Sequence, residues 1–224
     1  MFNLKEFKIR FERFKKFDYQ SYPYCFGEFW KWKLRVENEG HHILDDKNIE
    51  EAYDRLSKTL KIWQWHRPYR FSKLAKRLKE SLKRIGNAYS EIREYSLLEF
   101  DKIPREPLEF IWHELGWVKT FEKNNRGYYL AMATTKPFMF LWGQTPAFDS
   151  VVRQRIPRFG IIGLTDNYWS FERWRNVLLK FQEILKQQPE IVDLFQKTSL
   201  KEYRARTLVP YGQFIDLYYW VRYW

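Results

Sequence analysis

Apolar residues return along this chain at two different intervals, and each interval predicts a different element. Between Phe29 and Val36, Trp30, Trp32, Leu34 and Val36 alternate with Lys31, Lys33 and Arg35. That two-residue period predicts a half-buried strand, with an aromatic face turned inward and a basic face toward water. The preceding stretch fits two patterns. Phe7, Ile9 and Phe11 alternate with Lys8 and Arg10, while Leu4, Phe7, Phe11 and Phe14 follow a helical stripe, so either element is open there.

From Asp46 the interval lengthens. Ile49, Tyr53, Leu56, Leu60 and Trp63 recur every three or four residues, which predicts a helix of about four turns. Arg67 and Pro68 interrupt it, and Ser72 is placed to cap a second helix running to Tyr95 with Leu74, Leu78, Leu82, Ile85, Tyr89 and Ile92 on one face. Pro107 opens a third helix toward Trp117. A further apolar helix begins near Tyr128, meets Pro137 and ends at Gly143. Phe171, Trp174, Leu178, Phe181 and Leu185 define an amphipathic helix, and Pro189 and Pro210 open two more. The expected fold is mainly α: a multi-helix globular domain with a small N-terminal β element. Without an internal repeat or a Gly/Ser linker, residues 1–224 read as one domain, with a β-containing segment at 1–45 and a helical body at 46–224.

Charge adds a direction to this outline. Lys and Arg number 40 against 28 Asp and Glu, a formal net charge of +12, which favours polyanionic partners. On the second helix Lys73, Lys76, Arg77, Lys79, Lys83 and Arg84 lie opposite the apolar stripe, with Glu80 as the acidic interruption. Cations on successive turns match a line of phosphates and release counterions on binding. A second acid-free cluster, Arg153, Arg155 and Arg158, extends the same expectation.

The aromatic share of 20% supplies a packed core. A single cysteine, Cys25, removes an intrachain disulfide and any zinc site needing two cysteines from this chain, and it fits a reducing cytoplasm. The N-terminal segment is too often broken by charge to read as a secretory signal, and no later run reaches the length of a membrane span. There is no Walker loop, dinucleotide-binding glycine pattern or Gly-x-Ser-x-Gly elbow, so nucleotide hydrolysis, hydride transfer and serine hydrolase chemistry have no support. The cluster of Glu37, Glu39, His41, His42, Asp45 and Asp46 contains metal-capable side chains but reads as a solvated polar turn. No cofactor and no metal are expected.

One segment carries candidate chemistry. Thr135, Lys136, Pro137 and Phe138 lead through Leu141, Trp142 and Gly143 to Pro146, Ala147, Phe148, Asp149, Ser150, Val151, Val152 and Arg153. Over Gly127 to Gly160 this run resembles the helix, Gly turn and Asp-capped helix of the helix-hairpin-helix DNA glycosylase superfamily, which includes endonuclease III-like enzymes. The resemblance implies that Asp149 opens a helix at an active site. The lysine nucleophile of that superfamily's bifunctional members has no match at the expected spacing before Asp149, because the nearest lysine, Lys136, stands too close to it. A plain helix cap is the competing role for Asp149.

The leading expectation is a non-catalytic nucleic-acid-binding protein, or a subunit of a nucleic-acid-processing complex, holding DNA or RNA through phosphate contacts away from any membrane. A DNA- or RNA-acting enzyme using Asp149, and an interaction protein docking an acidic partner in a larger assembly, are the alternatives.

Overall fold

The computed structural model describes residues 2–14, 22–62, 71–116, 127–156, 166–203 and 208–220. Helices α1 (Leu4–Phe14), α2 (Tyr22–Asn38), α3 (Ile49–Ile62) and α4 (Phe71–Ile92) come first. A 3₁₀ turn (Leu97–Lys102) leads to α5 (Arg105–Leu115), and a short strand, β1 (Tyr129–Leu130), leads to α6 (Ala131–Trp142). Then come α7 (Ser150–Arg155), β2 (Tyr168–Trp169), α8 (Phe171–Lys186), α9 (Pro189–Tyr203) and α10 (Tyr211–Trp220). The chain is mainly α with a small β element, as its periodicities predict.

The β element is elsewhere than expected. The stretch from Trp30 to Val36 lies within α2, and the ambiguous N-terminal stripe is α1. The reason lies in Lys33, a side chain only 1% exposed. Its ammonium pairs with Glu37 at 3.1 Å, one turn on, and sits 4.2 Å from the centre of the Trp30 ring, one turn back. These partners at i+4 and i−3 are neighbours only on a helix. Phe26, Phe29, Trp32, Leu34 and Val36 are buried as well, so α2 is apolar around most of its circumference and carries no clean stripe. The two strands, β1 and β2, pair antiparallel in the C-terminal half, Tyr129 opposite Trp169 and Leu130 opposite Tyr168.

Buried side chains from Phe2 to Tyr219 form one connected core. At its centre Trp112 stacks on Trp174 with ring centres 5.1 Å apart, and Phe138 stacks on Trp142 at 5.2 Å. Such pairs add about 0.5–1.5 kcal/mol each beyond the area they bury. The indole nitrogens of Trp174 and Trp142 donate to Thr145 Oγ1 and the Tyr95 carbonyl, so neither is left unsatisfied in the interior. Helix α6 is buried along its whole length.

Two glycines set the approach of α10 to this centre. Gly143 ends α6 at φ +77°, and a Cβ there would stand 2.5 Å from the Trp30 ring. Gly212 lies against the backbone of Gln144 and Thr145, where any Cβ would collide. The Gly212 N–H donates to the Gly143 carbonyl at 2.9 Å, fixing the start of α10 on the turn that follows α6. Helix α10 then packs along α7.

Candidate functional site

The turn after α6, the short α7 and α10 converge on a polar group inside this aromatic core. Lys136 leaves α6 with 8% of its surface exposed. Burial pushes its ammonium down from the ordinary lysine range, and the charges of Asp149 and Asp216 pull it partly back. Asp149 caps α7: its Oδ1 accepts from the Val151 and Val152 N–H groups at 2.9 and 3.0 Å. Asp216, fully buried on α10, accepts the Ala147 N–H on its Oδ1 at 3.0 Å. Thr135, next to Lys136, donates its hydroxyl to the Ala131 carbonyl and accepts the Phe148 N–H at 3.1 Å. These bonds fasten the segment carrying Ala147 and Phe148 between α6 and α10, which holds both carboxylates near the lysine.

Gln213 lies one turn before Asp216 on the same side of α10 and has no exposed surface. Neither its side-chain nitrogen nor its oxygen meets a hydrogen-bond partner among the described residues. Gln144, also buried, is bonded at both amide atoms: it accepts the Leu97 N–H at 2.7 Å and donates to the Val209 carbonyl at 2.9 Å.

The predicted phosphate-binding residues are placed differently. Lys76 is exposed on α4. Lys79 pairs with Glu50 of α3 at 2.6 Å, and Lys83 approaches the same carboxylate at 3.6 Å. Arg84 pairs with Glu114 of α5 at 2.6 Å, and Arg77 donates to the Gly116 carbonyl at 2.5 Å. Acids from both flanking helices thus neutralise part of a face that reads as purely basic along α4 alone. The side chain of Lys73 lies outside the described residues, as does Arg158.

The remaining arginines point inward. Arg153, 7% exposed, donates to the Asp166 carbonyl at 2.5 Å and to Asn167 Oδ1 at 2.6 Å, tying α7 to the approach to β2. Arg155 donates to the Tyr219 carbonyl and ties α7 to α10. The structure therefore brings Asp149 and Arg153 into one neighbourhood, one helical turn apart, and leaves the α4 cations between α3 and α5.

His41, His42 and Asp45 form a turn. The Asp45 carboxylate meets His42 Nε2 at 2.8 Å and the His42 N–H at 2.8 Å, while the Leu44 N–H donates to His42 Nδ1 at 3.2 Å. Burial holds the His42 imidazole below its ordinary pKa against the pull of Asp45. Among the described residues no group of three or more His, Cys, Asp or Glu side chains could hold a metal ion. Nor is any helix among them long and apolar enough to cross a membrane.

Asp216 and Gln213 are the residues that sequence reasoning passes over, and Lys136 is one it sets aside on spacing. Their signal is polarity out of place: one lysine within AMATTKPFMFLW, and one glutamine with one aspartate within YGQFIDLYYW. No family model, curated protein or solved structure matches this chain.

Proposed function

We propose that the protein acts on nucleic acid through Lys136, with Asp149 and Asp216 as the carboxylates that handle its protons. The observation that carries this reading is a lysine amine buried between two acids in a chain of net charge +12. A buried lysine is the ordinary form of an amine nucleophile, because desolvation raises the fraction that holds a free lone pair at neutral pH. Perturbed titratable groups of this kind concentrate at functional sites. The resemblance over residues 127–160 suggests the substrate class and a helix-opening role for Asp149, whereas Lys136 does not stand at the spacing of that superfamily's lysine and is assigned from its burial beside the two acids alone.

The reaction supported by this arrangement is imine formation at an abasic deoxyribose. The Nζ lone pair attacks the aldehyde carbon, a proton passes from nitrogen to the new alkoxide, and water leaves as the C=N bond forms. Borohydride reduces that imine by delivering hydride to carbon, and water supplies the proton on nitrogen. The test is to mix the protein with an oligonucleotide bearing an abasic site, add borohydride and map the adduct. We expect a covalent adduct at Lys136 that Lys136→Met abolishes and Lys76→Met retains. An adduct that survives Lys136→Met, or no adduct, overturns this reading.

Phosphate binding without chemistry is supported by a separate observation: Lys79, Lys83 and Arg84 keep 38–54% of their side-chain surfaces exposed despite their acidic partners. On that reading the α4 face holds the backbone of DNA or RNA, and affinity falls steeply with salt. Joint reversal of Lys76, Lys79 and Lys83 to glutamate lowers affinity and flattens the salt slope. Unchanged affinity removes α4 from the interface.

A further inference from the structure

Helix α10 is ten residues long, and every residue from Tyr211 to Tyr219 is buried. A helix that short is marginal alone, so its position depends on what packs against each face. One face meets α7 and the turn before it: Asp216 Oδ1 accepts the Ala147 N–H at 3.0 Å, and Arg155 donates to the Tyr219 carbonyl. Tyr218, two positions from Asp216, points to the opposite face. That face is covered by the segment Phe2–Phe7. Phe2 meets the Tyr218 ring edge-on with centres 5.1 Å apart, and Phe7 stacks on the same ring at 5.9 Å.

The segment is held as a groove holds a peptide. Gln188, in the turn between α8 and α9, reads the Phe2 backbone in both directions: its Oε1 accepts the Phe2 N–H at 2.8 Å, and its Nε2 donates to the Phe2 carbonyl at 2.9 Å. Those bonds are indifferent to the side chain between them. The ring supplies the choice. Phe2 enters among Phe181 of α8, Phe195 of α9, and Tyr218 and Tyr219 of α10, with ring centres 5.1–6.5 Å away. Phe7 adds a second anchor 4.8 Å from Phe195. The Tyr218 hydroxyl accepts the Asn3 N–H at 3.2 Å and donates to Glu6 Oε2 at 3.0 Å. Main-chain pairing for affinity and side-chain pockets for specificity are the two parts of groove recognition.

The anchors are few. Phe2 and Phe7 are buried, whereas Asn3, Lys5, Lys8 and Ile9 are exposed, Ile9 at 48%. Elements held by few buried groups open before the fold as a whole.

We propose that Phe2–Phe7 is a releasable latch on a peptide-docking seat built from Gln188, Phe181, Phe195 and Tyr218. The partner that fits this seat is a peptide with one aromatic ring beside a free backbone N–H and C=O, and a second ring five residues on. Docked, the latch covers α10 and keeps Asp216 on the Ala147 N–H. Released, it wets that face of α10 and lets the Ala147 bond open. The latch is read without chemistry at Lys136, so the fate of the adduct leaves it untouched.

The experiment is amide hydrogen exchange by NMR on the intact protein, with and without a synthetic peptide of residues 1–14. Phe2→Ala is expected to speed exchange of the Ala147 N–H at least tenfold and to leave unchanged that of Ala52 in α3, which is bonded to the Asn48 carbonyl. Saturating peptide restores the protection of Ala147. The peptide binds Phe2→Ala at least tenfold more tightly than wild type, because the chain's own ring no longer competes at high effective concentration. Adding Gln188→Leu to Phe2→Ala weakens the peptide at least tenfold, and Ile9→Ala alone changes neither readout. A wild-type dimer that the peptide dissolves also supports the seat and identifies a second copy as the donor of the segment.

The proposal is overturned if the peptide does not bind Phe2→Ala, if the added Gln188→Leu leaves its affinity unchanged, or if Ala147 exchanges at the wild-type rate in Phe2→Ala. It is equally overturned if Phe2→Ala speeds Ala52 as much as Ala147 or does not fold, since Phe2 then belongs to the cooperative core.

Discussion

Two sets of cations in this molecule obey opposite rules. On α4, Lys79, Lys83 and Arg84 are half in water and share the acids Glu50 and Glu114, so each charge is cheap to hold and contributes little to the fold. Inside the junction of α6, α7 and α10, Lys136 is almost wholly withdrawn from water, and its ionisation depends on Asp149 and Asp216. The number of charges favours α4 and their environment favours Lys136. Surface cations suit loose, salt-sensitive attraction of a polyanion. A desolvated amine beside two carboxylates suits proton transfer and bond formation.

The contrast is tested most severely by removing one member of the interior group. Asp216→Ala leaves the Ala147 N–H without its acceptor and Lys136 with one carboxylate fewer. Truncating a partner in a buried ionic group costs about 3–5 kcal/mol. Urea denaturation should show a loss of that size, and a loss below ~1 kcal/mol would place Asp216 outside the electrostatic group.

Gly212→Ala comes next. Its methyl group would strike the Gln144 and Thr145 backbone, so α10 must shift, at a cost of about 1–3 kcal/mol by analogy with overpacked cores. Because α10 carries Asp216, adduct formation should fall further than stability alone explains.

Asp149 separates its structural role from its chemical one. Asp149→Ala removes the cap of α7 and costs about 1 kcal/mol. Asparagine is as good a cap, so Asp149→Asn should keep α7 capped and lose only the carboxylate charge facing Lys136, lowering the melting temperature less than Asp216→Ala while abolishing the borohydride adduct. Equal adduct yield in Asp149→Asn and the wild type would leave Asp149 as a cap and nothing more.

The surface set should move stability least. Reversing Lys76, Lys79 and Lys83 together breaks solvent-exposed pairs that contribute little to the fold, and circular dichroism should find the fold intact. The readout that moves is nucleic-acid affinity.

A pH dependence belongs to the turn between α2 and α3. Burial holds the folded His42 pKa below the ordinary imidazole value of 6.5. Its stabilising contribution is therefore fully present above that value, and it is lost as pH falls through the lower folded pKa. The neutral ring fits the turn: Nδ1 accepts the Leu44 N–H, which leaves the proton on Nε2 toward Asp45. Protonation at Nδ1 would remove that acceptor. The melting temperature should decline with acidification below 6.5, and His42→Gln should flatten that part of the profile. An unchanged profile would assign the acid sensitivity to other groups.

How much of this was legible in the sequence depended on whether an element has two distinguishable sides. Helices α3, α4 and α8 carry an apolar stripe opposite charge, and their positions follow directly from spacing. Helix α2 hides its period because Lys33 is inside with Trp30 and Glu37, so the alternation of tryptophan and lysine imitates a strand. The two-residue strands β1 and β2 are too short to impose any period.

The candidate site divides in the same way. Asp149 was visible from its place before a short helix. Lys136 and Asp216 sit in segments apolar on every side, and only tertiary packing brings α6 and α10 together. Along α4 alone the cations read as one basic face, but Glu50 and Glu114 arrive from neighbouring helices that no local pattern assigns to it. Arg153 and Arg155 read as surface charge and serve as internal struts to Asn167 and Tyr219.

The decisive measurement is a direct titration of the Lys136 amine by NMR of lysine-labelled protein, with the signal assigned through Lys136→Met. An amine held by burial between two carboxylates should titrate below the ordinary lysine range, and Asp216→Asn should lower its midpoint further by removing one supporting charge. A midpoint within the ordinary range, unmoved by Asp216→Asn, would show Lys136 to be solvated and contradict the interior centre.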